Sequence, residues 1–332
     1  MQALVFAAQG DARIMAIDEP VAADGEVLIE VAATGVCHTD MDILHGRYLC
    51  AYPVVPGHEI AGTVRAVGEG VRGIEVGARV AVDPMIPCGH CRSCQANRPS
   101  LCANLQAYGA TTHGGFAPMV KVAARNAHSV GGLPFHVAAL AEPFGCVMHG
   151  IDRVQVRPDM RALVFGAGPI GLMMMLGLQA RGLADVTMVD LEPSRLERAT
   201  ALGAAGTVEG QGLTPERLGE RFDLVVDCTG VAEVAGRMPL YAHDGATILF
   251  FGVCPPTARI EVSPYDIFRR ELILIGSHAV SNNLPDAIAV LQGLGGKAEA
   301  LVSHRLPLEG IAQQMVSPTK RGTMKIQYDA FA

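Results

Sequence analysis

The sequence predicts an α/β chain of two domains, an antiparallel barrel-like β domain and a doubly wound parallel sheet. Three observations carry that expectation. The chain has 332 residues, and a domain averages about 150. The first half is built of short apolar runs broken by glycine and proline, EVLIEVAATG, EIAGTVRAVG, GARVAVDP and GGFAPMVKV, which is the texture of closely spaced antiparallel strands. Farther on, RALVFGAG, ADVTMVD, FDLVVDCTG, GATILFFGV and ELILIGS alternate with helical stretches such as PIGLMMMLGLQARG and PSRLERATALGA. Strands alternating with helices build a parallel sheet through crossover connections. A helix over DAIAVLQGLGG, a proline-flanked strand and a short tail follow.

Bulk properties narrow the function. Half of the residues are hydrophobic and 18% are charged, as suits a large core. A net charge of -7 argues against nucleic acid and anionic membranes, both of which select basic surfaces. No apolar run approaches the ~20 residues of a membrane span. The start, MQALVFAAQGDARIM, has neither a basic opening nor a sustained apolar segment, so a cytoplasmic location is expected. Of the nine cysteines, four fall within fifteen residues. Without an export signal, such clustering points to metal rather than disulfides.

The run Gly166-Ala167-Gly168-Pro169-Ile170-Gly171 follows the strand ALVF and opens an apolar helix. Here Gly166 serves the tight turn, Gly168 lets a pyrophosphate approach the backbone, and Gly171 lets the helix lie close to the sheet. Pro169 and Ile170 begin the helix, whose free N–H groups face the phosphates. Asp190 ends the strand DVTMVD, where a carboxylate binds ribose hydroxyls and repels a 2′-phosphate, so NAD is the expected cofactor. Arg195 is expected to flank the adenine, and Thr229, at the end of FDLVVDCTG, to join the cofactor residues. The methionines Met173, Met174 and Met175 are expected to pack the helix.

Cys88, Cys91, Cys94 and Cys102 form C-x2-C-x2-C-x7-C. Four thiolates complete a tetrahedral zinc with no open position, so this site is structural. An iron–sulfur cluster is the alternative occupant of four thiolates. His90 lies inside this lobe and is expected to be exposed. Separately, Gly57-His58-Glu59 follows Cys37-His38-Thr39-Asp40 by about twenty residues. A thiolate and an imidazole are natural ligands of a catalytic zinc, which needs a third ligand and an open position.

These motifs, in this order along essentially the whole chain, resemble the medium-chain zinc-dependent dehydrogenases, closest in pattern to the sorbitol and other polyol dehydrogenases. The resemblance implies a GroES-like β domain at 1–143 and 280–332 around a Rossmann domain at 144–279, two zinc ions per subunit and NAD. It implies a small alcohol or polyol as substrate and a homodimer or homotetramer. Ala141-Glu142-Pro143-Phe144-Gly145 resembles the polyol branch, making Glu142 the expected third ligand, with Cys146, one helical turn on, as its competitor. Glu59 resembles a glutamate that approaches the metal during ligand exchange, or else is a salt-bridging residue. Thr39 resembles the hydroxyl that takes the substrate proton.

Two departures stand out. Where many relatives carry a relay histidine, this chain has Asp42, so the relay passes through Asp42 or ends at Thr39 and the ribose. His38 lies by the pyrophosphate or is an exposed loop residue. The Arg-Tyr pair of sorbitol dehydrogenases is replaced by Gly276-Ser277-His278-Ala279-Val280, which puts sorbitol itself in question. The expected activity is zinc-dependent oxidation of a polyol or secondary alcohol to the ketone. A threonine-type or aldehyde-specific dehydrogenase is the second reading, and a non-catalytic NAD-binding sensor the third.

Overall fold

In the computed structural model, which describes residues 1–48, 50–317 and 321–332, the run EVLIEVAATG forms the central strand Glu26–Gly35 of a seven-stranded sheet. It pairs antiparallel with Glu59–Val67, Met119–Ala123 and Lys325–Asp329. Its first half alternates buried and partly exposed residues, whereas its last five are all buried. Alternation marks a strand with one wet face, and continuous burial marks one covered on both. The sheet continues from Glu59–Val67 through Arg79–Val82 to Ala127–Ser129. Only the second part of GGFAPMVKV is a strand; its glycines instead bond to the backbone of residues 55 and 57.

The proline-flanked strand, Val302–Leu306, pairs parallel to Lys325–Asp329, a departure from an antiparallel domain. The helix Leu308–Met315 lies between the two in sequence, and a crossover of that kind is what a parallel neighbour requires. Leu4, Phe6, Ile29, Val31, Ile60, Val64, Phe116 and Val122 form the core beneath this sheet.

Residues Met1–Gly145 and Val280–Ala332 make one unit, and Cys146–Ala279 the other. The division falls two residues after the expected 143/144 boundary. A Cβ on Gly145 would lie 3.2 Å from Val280, and Asn283 Nδ2 donates to the Gly145 carbonyl at 2.7 Å. These contacts keep the first turn of the helix Ala141–Asp152 with the first unit.

In the second unit six strands run in the order Gly206–Glu209, Asp185–Asp190, Arg161–Phe165, Phe222–Asp227, Ala242–Phe250, Ile273–Gly276, and every pairing is parallel. The order of winding reverses between Arg161–Phe165 and Phe222–Asp227, the switch point beside which nucleotides bind in such sheets. The helix Pro169–Ala180 is buried from Gly171 to Leu178, including Met173, Met174 and Met175. A helix apolar all round belongs in a core, and these methionines pack there. Among the described residues no helix is long and apolar enough to cross a membrane.

Candidate metal centres and cofactor loop

Cys37 caps the N-terminus of the helix His38–Leu44, just beyond the central strand, and His58 immediately precedes the strand Glu59–Val67. The sheet register brings these strand ends together by pairing Gly35 with Glu59. Ligand atoms of Cys37, His58 and Glu59 then lie within 4.8 Å of one another. A Cβ at position 35 would stand 1.8 Å from Glu59 Oε2, so the glycine leaves room for that carboxylate in its present position.

Two further residues organise this set, and sequence reading assigned a role to neither. Asp40 is fully buried. Its Oδ2 accepts the Cys37 N–H at 2.8 Å, its Oδ1 accepts the Gly57 N–H at 3.2 Å, and Oδ1 lies 3.4 Å from His58 Nδ1. A carboxylate on Nδ1 fixes the tautomer and leaves Nε2 as the metal-binding nitrogen. Burial opposes the charged imidazole, yet Asp40 and the Cys37 sulfur outweigh it and hold the His58 pKa well above its ordinary value. The carboxylate and sulfur that favour a positive charge here are also suited to a divalent cation.

The second residue is Lys325, contributed by the strand Lys325–Asp329. Its buried ammonium donates to Glu59 Oε1 and, at 2.8 Å, to the Val36 carbonyl. Burial pushes the Glu59 carboxyl up, and Lys325 opposes that shift. The other oxygen, Oε2, is buried with no hydrogen-bond partner. An orphaned carboxylate oxygen beside a thiol and an imidazole fits a metal ion.

The carboxylate that the fold brings into this set is thus Glu59. Glu142, the expected third ligand, is buried in the first turn of the helix Ala141–Asp152, and its charge helps to raise the Lys325 pKa. Cys146 falls in the second unit. Thr39 Oγ1 lies 3.6 Å from Cys37 Sγ. Asp42 accepts from Arg47 Nε at 2.9 Å and stands 3.8 Å from Nε2 of the exposed His38.

The four-cysteine lobe is built differently. Cys88, Cys91, Cys94 and Cys102 have their sulfurs within 4.8 Å of one another. A short helix, Arg92–Gln95, and a single turn, Pro99–Leu101, carry the chain between them. The Cys102 sulfur accepts the Cys88 N–H at 3.2 Å and the Asn104 N–H at 3.4 Å. Backbone N–H groups of Cys94 and Ala103 lower the Cys91 pKa to about 6, whereas desolvation pushes Cys94 to about 12. Four adjacent thiols cannot all ionise unaided, and a cation that binds all four removes the conflict. His90 is exposed, with Nδ1 2.9 Å from the Cys88 carbonyl oxygen.

In the second unit, Gly166 has φ +98°, a conformation that glycine tolerates best. A Cβ on Gly171 would stand 1.7 Å from the Gly166 carbonyl oxygen, so helix and loop touch backbone to backbone. Gly168 caps the helix, with Pro169 as its first residue, followed by Ile170. Asp190 Oδ2 accepts the Ala167 N–H at 2.7 Å, and Oδ1 accepts the Glu192 N–H at 2.9 Å. Arg195 Nη1 lies 3.5 Å from Asp190 Oδ2 and would be 3.8 Å from a Cβ on Gly168. Its Nε is buried and unpartnered. Thr229 leans on Gly166 and bonds to the buried Asp227 at 2.6 Å.

Comparison with known proteins identifies this arrangement. Residues 23–132 match the family of alcohol dehydrogenase GroES-like domains, and residues 169–293 match the zinc-binding dehydrogenases. The chain is 46% identical to D-altritol 5-dehydrogenase of Agrobacterium fabrum, over 99% of this chain and 100% of that one. It is 31% identical to D-arabinitol dehydrogenase 1 of Uromyces fabae, over 98% and 96%. A zinc-binding dehydrogenase from Sinorhizobium meliloti 1021, solved with NADP, superposes with a TM-score of 0.94 at 30% identity, covering 99% of this chain and 98% of the other. The chain belongs to the medium-chain zinc-dependent alcohol dehydrogenase superfamily. It is an oxidoreductase with a GroES-like domain and a Rossmann-type cofactor domain.

Proposed function

We propose that the chain oxidises a polyol, or a related secondary alcohol, to the ketone and passes the hydride to NAD. The observation that carries the reading is the Cys37–His58–Glu59 set with its buried, orphaned Oε2, in a chain 46% identical to a polyol dehydrogenase. When bound, zinc supplies Lewis acidity toward a substrate oxygen and NAD accepts the hydride. Cys37 and His58 hold the metal, Asp40 orients His58, and Glu59 offers Oε2 while Lys325 retains Oε1. Glu142 is assigned to the same centre as its further carboxylate. Thr39 receives the proton from the substrate hydroxyl, and Asp42, tied to Arg47, passes it toward solvent. Cys88, Cys91, Cys94 and Cys102 hold the second, structural zinc.

For the cofactor, Gly166, Gly168, Pro169, Ile170 and Gly171 receive the pyrophosphate. Asp190 receives the adenosine ribose, Arg195 lies beside it, and Thr229 supports the loop. A carboxylate at the ribose disfavours a 2′-phosphate, so NAD is expected to outperform NADP in kcat/KM by about tenfold or more.

The test is steady-state reduction of NAD and NADP with altritol, arabinitol, sorbitol, 2,3-butanediol and threonine. A polyol should give the highest kcat/KM. Preference for threonine or for aldehyde reduction would replace the reading with another dehydrogenase, and no turnover with any of them would favour a sensor. Zinc content of Glu59→Gln and Glu142→Gln separates the two carboxylates.

We further propose a homo-oligomer assembled on the edge strand Ile273–Gly276. It ends the sheet, Ile273 is exposed, and Tyr265 and Phe268 on the preceding helix are also exposed. Such an apolar edge invites a partner strand. Sedimentation of Ile273→Lys as a monomer is expected; an unchanged assembly would remove this edge from the interface.

A further inference from the structure

Residues 54–58 deliver His58 to the candidate metal set, and the bonds of residues 54–57 can be accounted for group by group. Val54 exchanges both backbone bonds with Phe6, at 3.1 and 2.8 Å. The carbonyls of Val55, Pro56 and Gly57 accept from Gly114, Phe116 and Gly115 at 2.8, 3.0 and 2.8 Å. The Gly57 N–H goes to Asp40 Oδ1, and Pro56 has none. That leaves the N–H of Val55, a residue only 1% exposed. Among the described residues it has no backbone acceptor, and it donates to Nδ1 of His113 at 3.1 Å. Both backbone groups of Val55 are therefore held by consecutive residues, His113 and Gly114.

An imidazole accepts at Nδ1 only when that nitrogen carries no proton. Protonation would turn the acceptor into a second donor aimed at a buried N–H, which costs far more than losing an exposed bond. The His113 side chain is partly buried against Val55 and otherwise open to solvent, so protons reach the ring. His58 is the other titratable group on the two facing segments, and Asp40, Cys37 and Glu59 lie against it. Among the described residues no ion pair holds His113, and partial burial alone lowers its pKa.

We propose that His113 is a positioning residue: as a neutral imidazole it pins Val55 and thereby holds His58 in place for the metal. The metal consequence rests on the assignment of His58 as a ligand, whereas the Val55 bond does not. His113→Asn sets Oδ1, an acceptor that no proton removes, where Nδ1 stands. His113→Ala removes the acceptor altogether.

The experiment follows exchange of the Val55 amide in the zinc-loaded full chain between about pH 5.5 and 8, after correction for intrinsic rates, together with zinc release to a chelator. His113→Ala should exchange Val55 about tenfold faster at the upper pH and release zinc faster. Wild type should approach that behaviour at the acid end, whereas His113→Asn should stay protected throughout. Val55 exchange in His113→Ala within about twofold of wild type would overturn the proposal. So would acid opening of His113→Asn that matches wild type, or faster Val55 exchange without faster zinc release. A protected Val55 in a chain whose His58 binds no zinc would instead defeat the ligand assignment.

Discussion

The first unit contains two sulfur-bearing centres assembled on opposite plans. The lobe takes its four donors from fifteen consecutive residues, Cys88 to Cys102, and turns of local backbone alone bring them together. The Cys37–His58–Glu59 set draws on two sheet strands and a helix cap, and it leans on Lys325, 266 positions from Glu59. A local centre can be closed around its metal without engaging the core. A centre built across a sheet instead inherits the precision of the strand register, which chemistry on a substrate requires. The lobe is expected to serve stability and the sheet-borne site catalysis.

The sharpest break between them should come from single sulfur removals. Cys37→Ala is expected to lower kcat/KM by about 10³-fold or more, the scale of a lost Lewis acid, with little change in melting temperature. Cys94→Ser should do the reverse, halving the zinc content and lowering the melting temperature while folded molecules still turn over. Equal effects on both readouts would erase the distinction. Metal analysis, thermal melts and steady-state kinetics on the same preparations decide it.

Next in size is Lys325→Met. It strands the Glu59 carboxylate in a buried site, where breaking a pair costs about 3–5 kcal/mol. Denaturant unfolding measures the loss, and Glu59→Gln added to Lys325→Met should recover much of it. Asp40→Asn comes third. Weakening the carboxylate that orients His58 should reduce zinc affinity or activity about 10–100-fold, read by competition with a chromogenic chelator.

The smallest effect lies at the neck joining sheet and lobe. Asp83 follows the strand Arg79–Val82, and its Oδ1 accepts the Met85 N–H at 2.9 Å. Burial raises its pKa to about 6, against which the Met85 bond pulls only partly. The folded state therefore binds this proton more tightly than the unfolded state does. Stability from this group is greatest below about pH 4 and falls as pH rises toward about 6. Asp83→Asn keeps the acceptor and removes the slope, with an expected gain near neutral pH of about 1–2 kcal/mol after relaxation of the site. Melts of both proteins across that window check the sign.

The same contrast explains what could be read before the fold was known. Gly166 to Gly171, with the strand before and the helix after, and the cysteine spacing of the lobe are local, and spacing alone carries local geometry. Asp40 and Lys325 escaped notice because their roles exist only through contacts. Asp40 sits in a helix turn that looks ordinary until Gly57 and His58 reach it. Lys325 reads as a charged residue near a strand, whereas the fold buries it against Glu59. The proximity of Glu59 to Cys37 and His58 depends on the same missing information: Gly35 opposite Glu59 admits a carboxylate against the strand. Parallel pairing of Val302–Leu306 was hidden because periodicity reports burial but not strand direction.

The placement of Lys325 also bears on biosynthesis. The ribosome makes Cys37, His58 and Glu59 early and then the whole of Cys146–Ala279, before the strand Lys325–Asp329 exists. Domains fold as units while the chain emerges, so the nascent barrel must wait, with an edge open beside Gly35 and an uncompensated glutamate inside. The strand that neutralises Glu59 is also the one that closes that edge. Completion of the sheet and readiness of the metal pocket are thus one late event, and a chain stalled before it presents a nucleotide-binding unit with no working partner.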